Sequence, residues 1–332
     1  MKNLIIVLFF LCGQQLLFAQ PQFSKLSVKP GAFSRMGFGA RGMGMGNAMS
    51  AVTEGNLVSY YNPALSVFQE RNMFQTSYSF LSLDRSLNFI NFTRKFEFYS
   101  SRDTSRHTPS AIAGLSLGII NSGVGKIDGR DNDGVKTGNL STSENQFFIA
   151  LANRFSGKFA AGLAAKIYYY KLYEDINSTG FGFDLGILYM LNEQWNFSLM
   201  ISDLNTKYEW NTSPVFDVEG STSTDHFPVL KKIGVRYRNR DLGIIGSAEF
   251  ENSNAETNII RAGIEYNIFE NFFLRGGLDN WNLSNKDYEM NPSAGFSYFY
   301  GLNSILVGID YAFVFEPYSP FDRHIVGINV KF

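Results

Sequence analysis

From residue 73 to residue 332, apolar and polar residues alternate with a period of two, which is typical of β-strands that have one apolar and one polar face. The alternation predicts fourteen strands: 73–81, 85–96, 110–120, 145–154, 159–173, 180–191, 195–203, 229–238, 242–250, 258–267, 272–280, 291–300, 304–314 and 323–332. Segment 85–96 is the least regular. Its apolar phase slips between Phe89 and Ile90, which predicts a β-bulge.

The connections between these segments indicate how the strands are arranged. Links after even-numbered strands are mostly short: 155–158, 192–194, 239–241, 268–271 and 301–303. Links after odd-numbered strands are mostly longer: 121–144, 204–228, 251–257, 281–290 and 315–322. Short turns at one end and long loops at the other are typical of an outer-membrane barrel with both termini on the periplasmic side. An even number of strands also lets an antiparallel ring close without exposed edges. We therefore predict an all-β fold, a 14-stranded antiparallel transmembrane β-barrel over residues 73–332.

The charged residues predict which face of the wall lines the lumen. A Lys or Arg that faces lipid at the midplane costs about 2–4 kcal/mol, so the charged faces should point inward. Nine charges are assigned to the lumen: Lys166, Asp184, Arg236, Glu249, Arg261, Glu265, Arg275, Asp279 and Asp310. Glycines recur on the same face and would leave room inside the ring: Gly162, Gly182, Gly234, Gly263, Gly277 and Gly308. Trp195, Tyr266 and Tyr300, near strand ends, fit an aromatic girdle at the membrane interface.

Residues 20–72 lack this alternation and are predicted to form a hatch that plugs the barrel. Residues 37–48 are dense in small residues, which allow the close backbone approach that a plug needs. The sequence predicts a short helix over about 43–53 and a second turn or helix that begins at Asn62, with Pro63 in its first turn. The candidate hatch residues are Arg41, Gly42, Gly44, Gly46, Asn47, Asn62 and Pro63.

Residues 1–19 are predicted to be a secretory signal peptide. Lys2 precedes the apolar run 4–11, and cleavage is expected after Ala19. A membrane anchor is the alternative, but the uninterrupted apolar core is much shorter than the roughly 20 residues that span a bilayer. Cys12, the one cysteine, lies in this leader, so the mature chain could form no disulfide framework.

Composition and motifs argue against nucleic-acid binding and catalysis. The 29 Lys and Arg nearly balance the 30 Asp and Glu, whereas binding a polyanion needs a clustered excess of positive charge. The G-x-G-x-x-G at 37–42 follows no strand, and the three histidines, His107, His226 and His324, are far apart in sequence. We expect no enzyme activity and no cofactor.

Residues 128–134 (DGRDNDG) partly resemble a calcium-binding loop. Asp131 and Asp133 fall at ligand positions when Gly134 is aligned with the loop glycine, but Gly129 and Leu140 stand where acidic ligands belong. A polar turn is the expected structure, and a weak calcium site is the alternative.

The hatch segment carries a family resemblance. RGMGMGNA at 41–48, followed by NPA at 62–64, resembles the N-terminal signature of the PorV/PorQ outer-membrane family, which belongs to the FadL-like barrels. Further similar segments are FP at 227–228, RAGIEY at 261–266 and LRGG at 274–277. SDL at 202–204 is a further similar segment, at the place where the family tends to have Asn-Leu-Gly, but Asp203 and the following Asn205 depart from the family pattern. The resemblance implies a fourteen-stranded barrel with an N-terminal hatch.

Two functions follow from the resemblance. PorV-like members work with type IX secretion, where they receive the C-terminal sorting domains of cargo proteins; loops 121–144, 204–228 and 281–290 would then form the docking face. FadL-like members instead take up hydrophobic small molecules, and the hatch around 42–47 would gate the lumen. The charged inner faces favour the first hypothesis. A structural barrel with no transport role is a third possibility. The expected partners are outer-membrane lipid with either secretion proteins or a hydrophobic ligand.

Overall fold

The computed structural model describes residues 25–99, 109–173 and 175–332; the expected signal peptide lies outside them. Within these residues fourteen strands form a closed antiparallel barrel, and two further strands form a separate hairpin. The barrel strands are β1 (Met73–Phe80), β2 (Arg85–Phe98), β3 (Ala111–Arg130), β4 (Lys136–Arg154), β5 (Phe159–Tyr173), β6 (Ile176–Met190), β7 (Trp195–Leu204), β10 (Leu230–Asn239), β11 (Ile244–Ser253), β12 (Thr257–Phe269), β13 (Phe272–Asn282), β14 (Asn291–Leu302), β15 (Ile305–Val314) and β16 (Arg323–Lys331). The hairpin consists of β8 (Lys207–Asn211) and β9 (Thr222–His226). The predicted fold class is confirmed.

The ring closes where β1 pairs with β16, from Met73 opposite Lys331 to Phe80 opposite His324. Closure leaves no unpaired strand edge in the sheet, as spanning a bilayer requires. The predicted bulge in β2 is wrong, because its register with β1 and β3 runs without a shift. Phe89 points inward against Phe38 of the hatch (ring centroids 4.7 Å apart), whereas Ile90 points outward. Apolar residues therefore occupy both faces of β2, and the slip in phase reflects this rather than an irregular backbone.

The two faces of the wall differ in the way that a membrane barrel requires. Large apolar side chains such as Phe183, Leu185 and Ile309 are exposed on the outside. Inward positions carry buried polar residues, such as Asn91, Ser297 and Asn329, or pack against the hatch. No described helix combines the length and the apolarity that crossing a bilayer requires.

The two ends of the barrel are distinguished by their connections. We call the end with segments 205–229, 283–290 and 315–322 the loop end, and the opposite end, with connections such as 155–158, the turn end. Trp195, Tyr266 and Tyr300 are exposed on the outer face at the turn end. They lie where the predicted aromatic girdle would lie at the turn end.

Two predicted loops contain strands. Most of the expected loop 121–144 is a hairpin in which β3 and β4 continue beyond the predicted strand ends. The alternation fades there because both faces of the hairpin are largely solvated, so no face needs apolar residues. The expected loop 204–228 contains β8 and β9, and β8 lies beside β6. At the tip of the first hairpin, Asp131 Oδ1 accepts hydrogen bonds from the backbone N–H groups of Asp133 and Val135, which makes a tight polar turn.

The hatch runs through the lumen from the loop end to the turn end. It contains a 3₁₀ helix at Ala32–Arg35, α1 at Gly39–Gly44 and a second 3₁₀ helix at Pro63–Phe68. Lys25, the first described residue, pairs with Glu256 at the loop end, whereas the N–H of Phe332 bonds to Asn72 O at the turn end. The described part of the hatch thus begins at the loop end and reaches β1 at the turn end.

The helix predicted over 43–53 is wrong in position. Helix α1 ends at Gly44, and the chain then enters left-handed backbone conformation at Gly46 (φ 59°) and Asn47 (φ 60°), which stops helix propagation. The second prediction is confirmed. Asn62 caps the helix Pro63–Phe68, because its side-chain oxygen accepts the N–H of Ala64 at 2.9 Å.

Candidate functional site

The hatch lies backbone to backbone against the barrel wall at α1 and the turn that follows it. A Cβ added to Gly46 would stand 2.5 Å from Leu278 O and 2.7 Å from Ala262 O. Gly277 of β13 would meet the backbone of Gly46, and Gly263 of β12 would meet Met45. Glycine is therefore required on both sides of this contact, which we call the central seal (Met45 and Gly46 against Gly263 and Gly277).

A second contact joins the hatch to the opposite wall. A Cβ on Gly162 of β5 would lie 2.6 Å from the carbonyl carbon of Pro63, and one on Gly186 of β6 would meet the amide of Asn62. The Asn62 Nδ2 donates to Ser50 O at 3.0 Å and to Ile187 O at 3.2 Å. The second helix is thus fixed to the strands by hydrogen bonds as well as by packing.

The inward glycines do not all face the hatch. Gly234 faces Ser50 of the hatch, but Gly182 faces Thr206, and Gly308 faces the Phe299 ring. Among the hatch glycines, Gly42 packs against the Tyr61 hydroxyl, and Gly44 has ordinary contacts with the wall, the nearest at 3.5 Å from Ala312 Cβ.

The nine charges assigned to the lumen are all buried, with no more than 8% of any residue exposed. They are Lys166, Asp184, Arg236, Glu249, Arg261, Glu265, Arg275, Asp279 and Asp310. The structure distributes them over four networks rather than one site.

The first network connects the hatch to β12–β16. Arg41 donates two hydrogen bonds to the Glu265 carboxylate, Nε to Oε2 at 2.9 Å and Nη2 to Oε1 at 2.8 Å. Arg275 Nε donates to the same carboxylate at 2.5 Å, and its Nη1 donates to Ser297 Oγ at 2.6 Å. Ser297 in turn bonds to Asp310. One carboxylate thus receives two arginines, which fixes α1 to the wall through a bidentate pair.

The second network joins β10–β13 to the hatch. Arg261 Nη1 lies 3.0 Å from Glu251 Oε2, and its Nε lies 2.7 Å from Asp279 Oδ1. Glu249 accepts from Arg261 at 3.4 Å, and Lys232 pairs with Glu251 at 3.3 Å. These groups neutralise one another inside the barrel.

The hatch reaches this network through Asn47, whose Nδ2 donates to Asp279 Oδ2 at 2.7 Å. Asn47 Oδ1 accepts from the Tyr61 hydroxyl at 2.8 Å, and that hydroxyl accepts the N–H of Phe38 at 2.9 Å. Burial raises the pKa of the Tyr61 hydroxyl well above its usual value, so it stays protonated and able to donate.

The third network lies between β5, β6 and β7. Lys166 Nζ is 2.7 Å from Asp184 Oδ2 and 3.0 Å from Asp203 Oδ1, and the Tyr168 hydroxyl donates to Asp203 Oδ1 at 2.6 Å. Asp203 has a left-handed backbone (φ 60°), and its N–H bonds to Asp184. The fourth network is smaller: Arg236 pairs with Glu54 of the hatch and donates to Thr53 Oγ1 at 2.9 Å.

Several charged residues of these networks were not among the sequence candidates. Glu54, Asp203, Lys232 and Glu251 are all paired with residues that were; Lys232 pairs with Glu249 at 3.8 Å. Glu251 and Lys232 lie in β11 and β10 on the same inward parity as Glu249 and Gly234. The parity argument already applied to Lys232 within the predicted strand 229–238, and it reaches Glu251 one residue beyond the predicted strand 242–250. Within the described residues, no group of three or more His, Cys, Asp or Glu side chains could hold a metal ion.

An aromatic-lined cleft of about 470 Å³ opens at the loop end. We call it the loop-end cleft; its walls are Tyr170 and Leu172 of β5, Ile176 of β6, Tyr208 and Trp210 of β8, and segment 28–31 of the hatch. Its three rings pack with centroids 5.3–5.7 Å apart. Glu144 and Asp225 also line it. This cleft could not be predicted from the alternation, because β8 lies within a predicted loop.

Further rings continue from the cleft into the lumen. Tyr208 packs on Phe227 (4.9 Å between centroids), Phe227 on Tyr168 (4.7 Å), and Tyr168 on Phe33 of the hatch (6.4 Å). These rings form an aromatic layer that leads from the cleft to the hatch, and the Lys166 network lies next to it.

Comparison with known proteins shows the fold. No protein-family model matches the chain, and no curated protein matches it by sequence. Among solved structures it is similar to the Ralstonia pickettii toluene transporter TbuX (13% identity, 89% of this chain and 98% of that chain, TM-score 0.59). It is also similar to the Pseudomonas putida toluene transporter TodX (12%, 89% and 96%, TM-score 0.57) and to a Pseudomonas aeruginosa FadL homologue (10%, 89% and 98%, TM-score 0.51). The chain thus has the fold of FadL-like outer-membrane barrels.

Proposed function

We propose that this protein is an outer-membrane channel for the uptake of small hydrophobic molecules, with the loop end facing outward. The observation that carries the proposal is the aromatic-lined cleft at the loop end of a hatch-filled barrel. A volume of about 470 Å³ falls within the range of small-molecule sites, and its apolar walls favour a ligand with an aromatic or aliphatic body. Two proteins similar in fold are described as toluene transporters, which supports the same ligand class.

The cleft and the hatch are coupled in this proposal. Segment 28–31 forms one wall of the cleft, and Gly31 (φ 71°) packs against the Phe227 ring at the start of the aromatic layer. A ligand in the cleft therefore contacts the segment that leads into the 3₁₀ helix Ala32–Arg35. Passage beyond the aromatic layer requires that the hatch move, because the central seal leaves no space between backbone atoms.

Saturable binding of toluene to the purified protein in detergent tests the proposal, with the detergent-only titration subtracted. We expect Trp210→Ala to weaken binding about tenfold, because it removes one of three packed rings. Trp195→Ala is the matched control, since Trp195 is exposed on the outer face at the turn end; it should leave affinity unchanged. Non-saturable partitioning by the wild-type protein, or equal effects of the two variants, would contradict the proposal.

A protein-handling function, as in type IX secretion, is the second candidate. The observation in its favour is the central seal, because a barrel that docks proteins on its loop end needs no open lumen. Purification of the protein from native outer membranes under mild detergent tests it: stable copurification of secretion proteins or cargo sorting domains favours it, and their absence argues against it.

A further inference from the structure

The loop-end cleft contains a carboxylate whose charge is not paired. Glu144 of β4 stands directly across the strands from Tyr170 of β5, and both line the cleft. Its Oε2 is buried without a hydrogen-bond partner, and the carboxylate makes no ion pair with any described residue. Arg35 acts electrostatically on Glu144, but its guanidinium donates to backbone carbonyls of the hatch at residues 26, 29 and 30. Lys29 also lines the cleft but forms no ion pair with Glu144.

A second polar group of the cleft also has no partner among the described residues. The Tyr208 hydroxyl is buried and unbonded, although its ring packs against Tyr170 and Trp210. The other acid of the cleft, Asp225, is already engaged, since its Oδ2 accepts the indole N–H of Trp210 at 2.9 Å. Glu144 is thus a carboxyl group beside three aromatic rings, and its buried oxygen has no partner. Burial raises its pKa to about 7, and a bound cation would favour the charged form.

We propose that the loop-end cleft binds small organic cations, in which an ammonium group is attached to an apolar body. A half-buried carboxylate without an ion-pair partner is costly, and an ammonium group supplies that partner. The faces of Tyr and Trp rings attract the same group electrostatically, and the apolar walls accept the body. This proposal deepens the proposed function, because it names the ligand class of the same cleft.

Two ligands of nearly equal shape but different charge test whether charge contributes to binding in addition to hydrophobicity. Trimethylphenylammonium carries a quaternary nitrogen where tert-butylbenzene carries a quaternary carbon. We expect the wild-type protein in detergent to bind the cation at least about tenfold more tightly in isothermal titration calorimetry. Glu144→Gln keeps the size of the side chain and removes its charge, so it should remove most of this preference, leaving the weaker attraction of the ring faces, and leave tert-butylbenzene binding unchanged.

Two further variants serve as controls. Glu144→Asp keeps the charge and should retain a preference for the cation. Glu209→Gln removes an acid that is exposed and already paired with Lys207, so it should leave both affinities unchanged. Binding of tert-butylbenzene by each variant shows that its cleft is folded.

The outcomes distinguish the two proposals. Equal affinities for both ligands in the wild-type protein, unaffected by Glu144→Gln, would overturn the cation site and leave hydrophobic uptake standing. Absence of saturable binding for both ligands would overturn the proposed function together with the cation site.

Discussion

The central seal and the loop-end cleft lie inside the same wall but are built in opposite ways. At the seal, glycine backbones approach so closely that no side chain fits, and the surrounding charges are paired, as in the double contact of Glu265 with Arg41 and Arg275. In the cleft, large rings leave an open volume, and the polar groups of Glu144 and Tyr208 are unsatisfied. Charge in a barrel lumen therefore does not by itself indicate a ligand site; an unpaired carboxyl group beside an open cleft is the stronger indication.

This contrast is what the proposed functions of the two regions rest on. Paired buried ions are costly to separate, because removing one partner leaves the other charge uncompensated. They hold the hatch in one position. Unpaired groups in a solvent-accessible cleft are instead available to a ligand, which can supply the missing contacts.

The largest expected effect is the loss of the Glu265 carboxylate. Glu265→Ala leaves the buried Arg41 and Arg275 without their shared acceptor, and we expect the free energy of unfolding to fall by about 3–5 kcal/mol. Denaturant unfolding in detergent measures this. Glu193→Ala removes a carboxylate from an exposed pair with Arg240 and should produce no measurable change. A similar, small effect of both substitutions would show that the Arg41 contact does not hold the hatch.

Substitution at the seal is expected to have the next largest effect. Gly46→Ala places a Cβ against wall backbone atoms and strains a left-handed residue, so it should cost about 2–4 kcal/mol. Gly44→Ala is its matched control, because its added Cβ would have ordinary contacts at 3.5 Å or more. Protease resistance of the hatch and the unfolding midpoint should fall for Gly46→Ala alone. Equal tolerance of the two variants would contradict a close backbone contact at Gly46.

The smallest expected effects come from removing one tyrosine hydroxyl group in each region. Tyr61→Phe removes a hydroxyl that bonds to Asn47 and Phe38, and we expect a loss of about 1–3 kcal/mol. Tyr208→Phe removes a buried hydroxyl that has no described partner, so it should be neutral or slightly stabilising. Thermal unfolding of both variants checks this. A loss for Tyr208→Phe as large as that for Tyr61→Phe would mean that the Tyr208 hydroxyl is satisfied in the folded protein.

The barrel could be predicted from the sequence because the bilayer imposes alternation on every spanning strand. The predicted bounds 159–173 match β5, and the inward position of Glu265 follows from the cost of placing charge in lipid. Its partners Arg41 and Arg275 could not be predicted, because pairing depends on strand register and on the path of the hatch. The helix over 43–53 was predicted from small residues alone, and the left-handed turn at Gly46 has no signal in that pattern.

The cleft could not be predicted for a related reason. Glu144 of β4 and Trp210 of β8 lie outside the segments that alternate, and both were assigned to loops. Outside the bilayer, neither face of a strand has to be apolar, so the sequence need not alternate with a period of two. The alternation that identified the barrel wall therefore does not extend to the residues of the cleft.

Protection of an engineered cysteine tests the central claim most directly. The one native cysteine, Cys12, lies in the expected signal peptide, so Leu172→Cys in the cleft and Val135→Cys at the β3–β4 tip would each carry a single thiol. We predict that a membrane-impermeant maleimide labels both on intact cells, and that saturating toluene slows labelling at position 172 about tenfold but not at position 135. Failure to label position 172 from outside, or equal rates with and without toluene, would contradict a ligand cleft on the outer side of a hatch-sealed barrel.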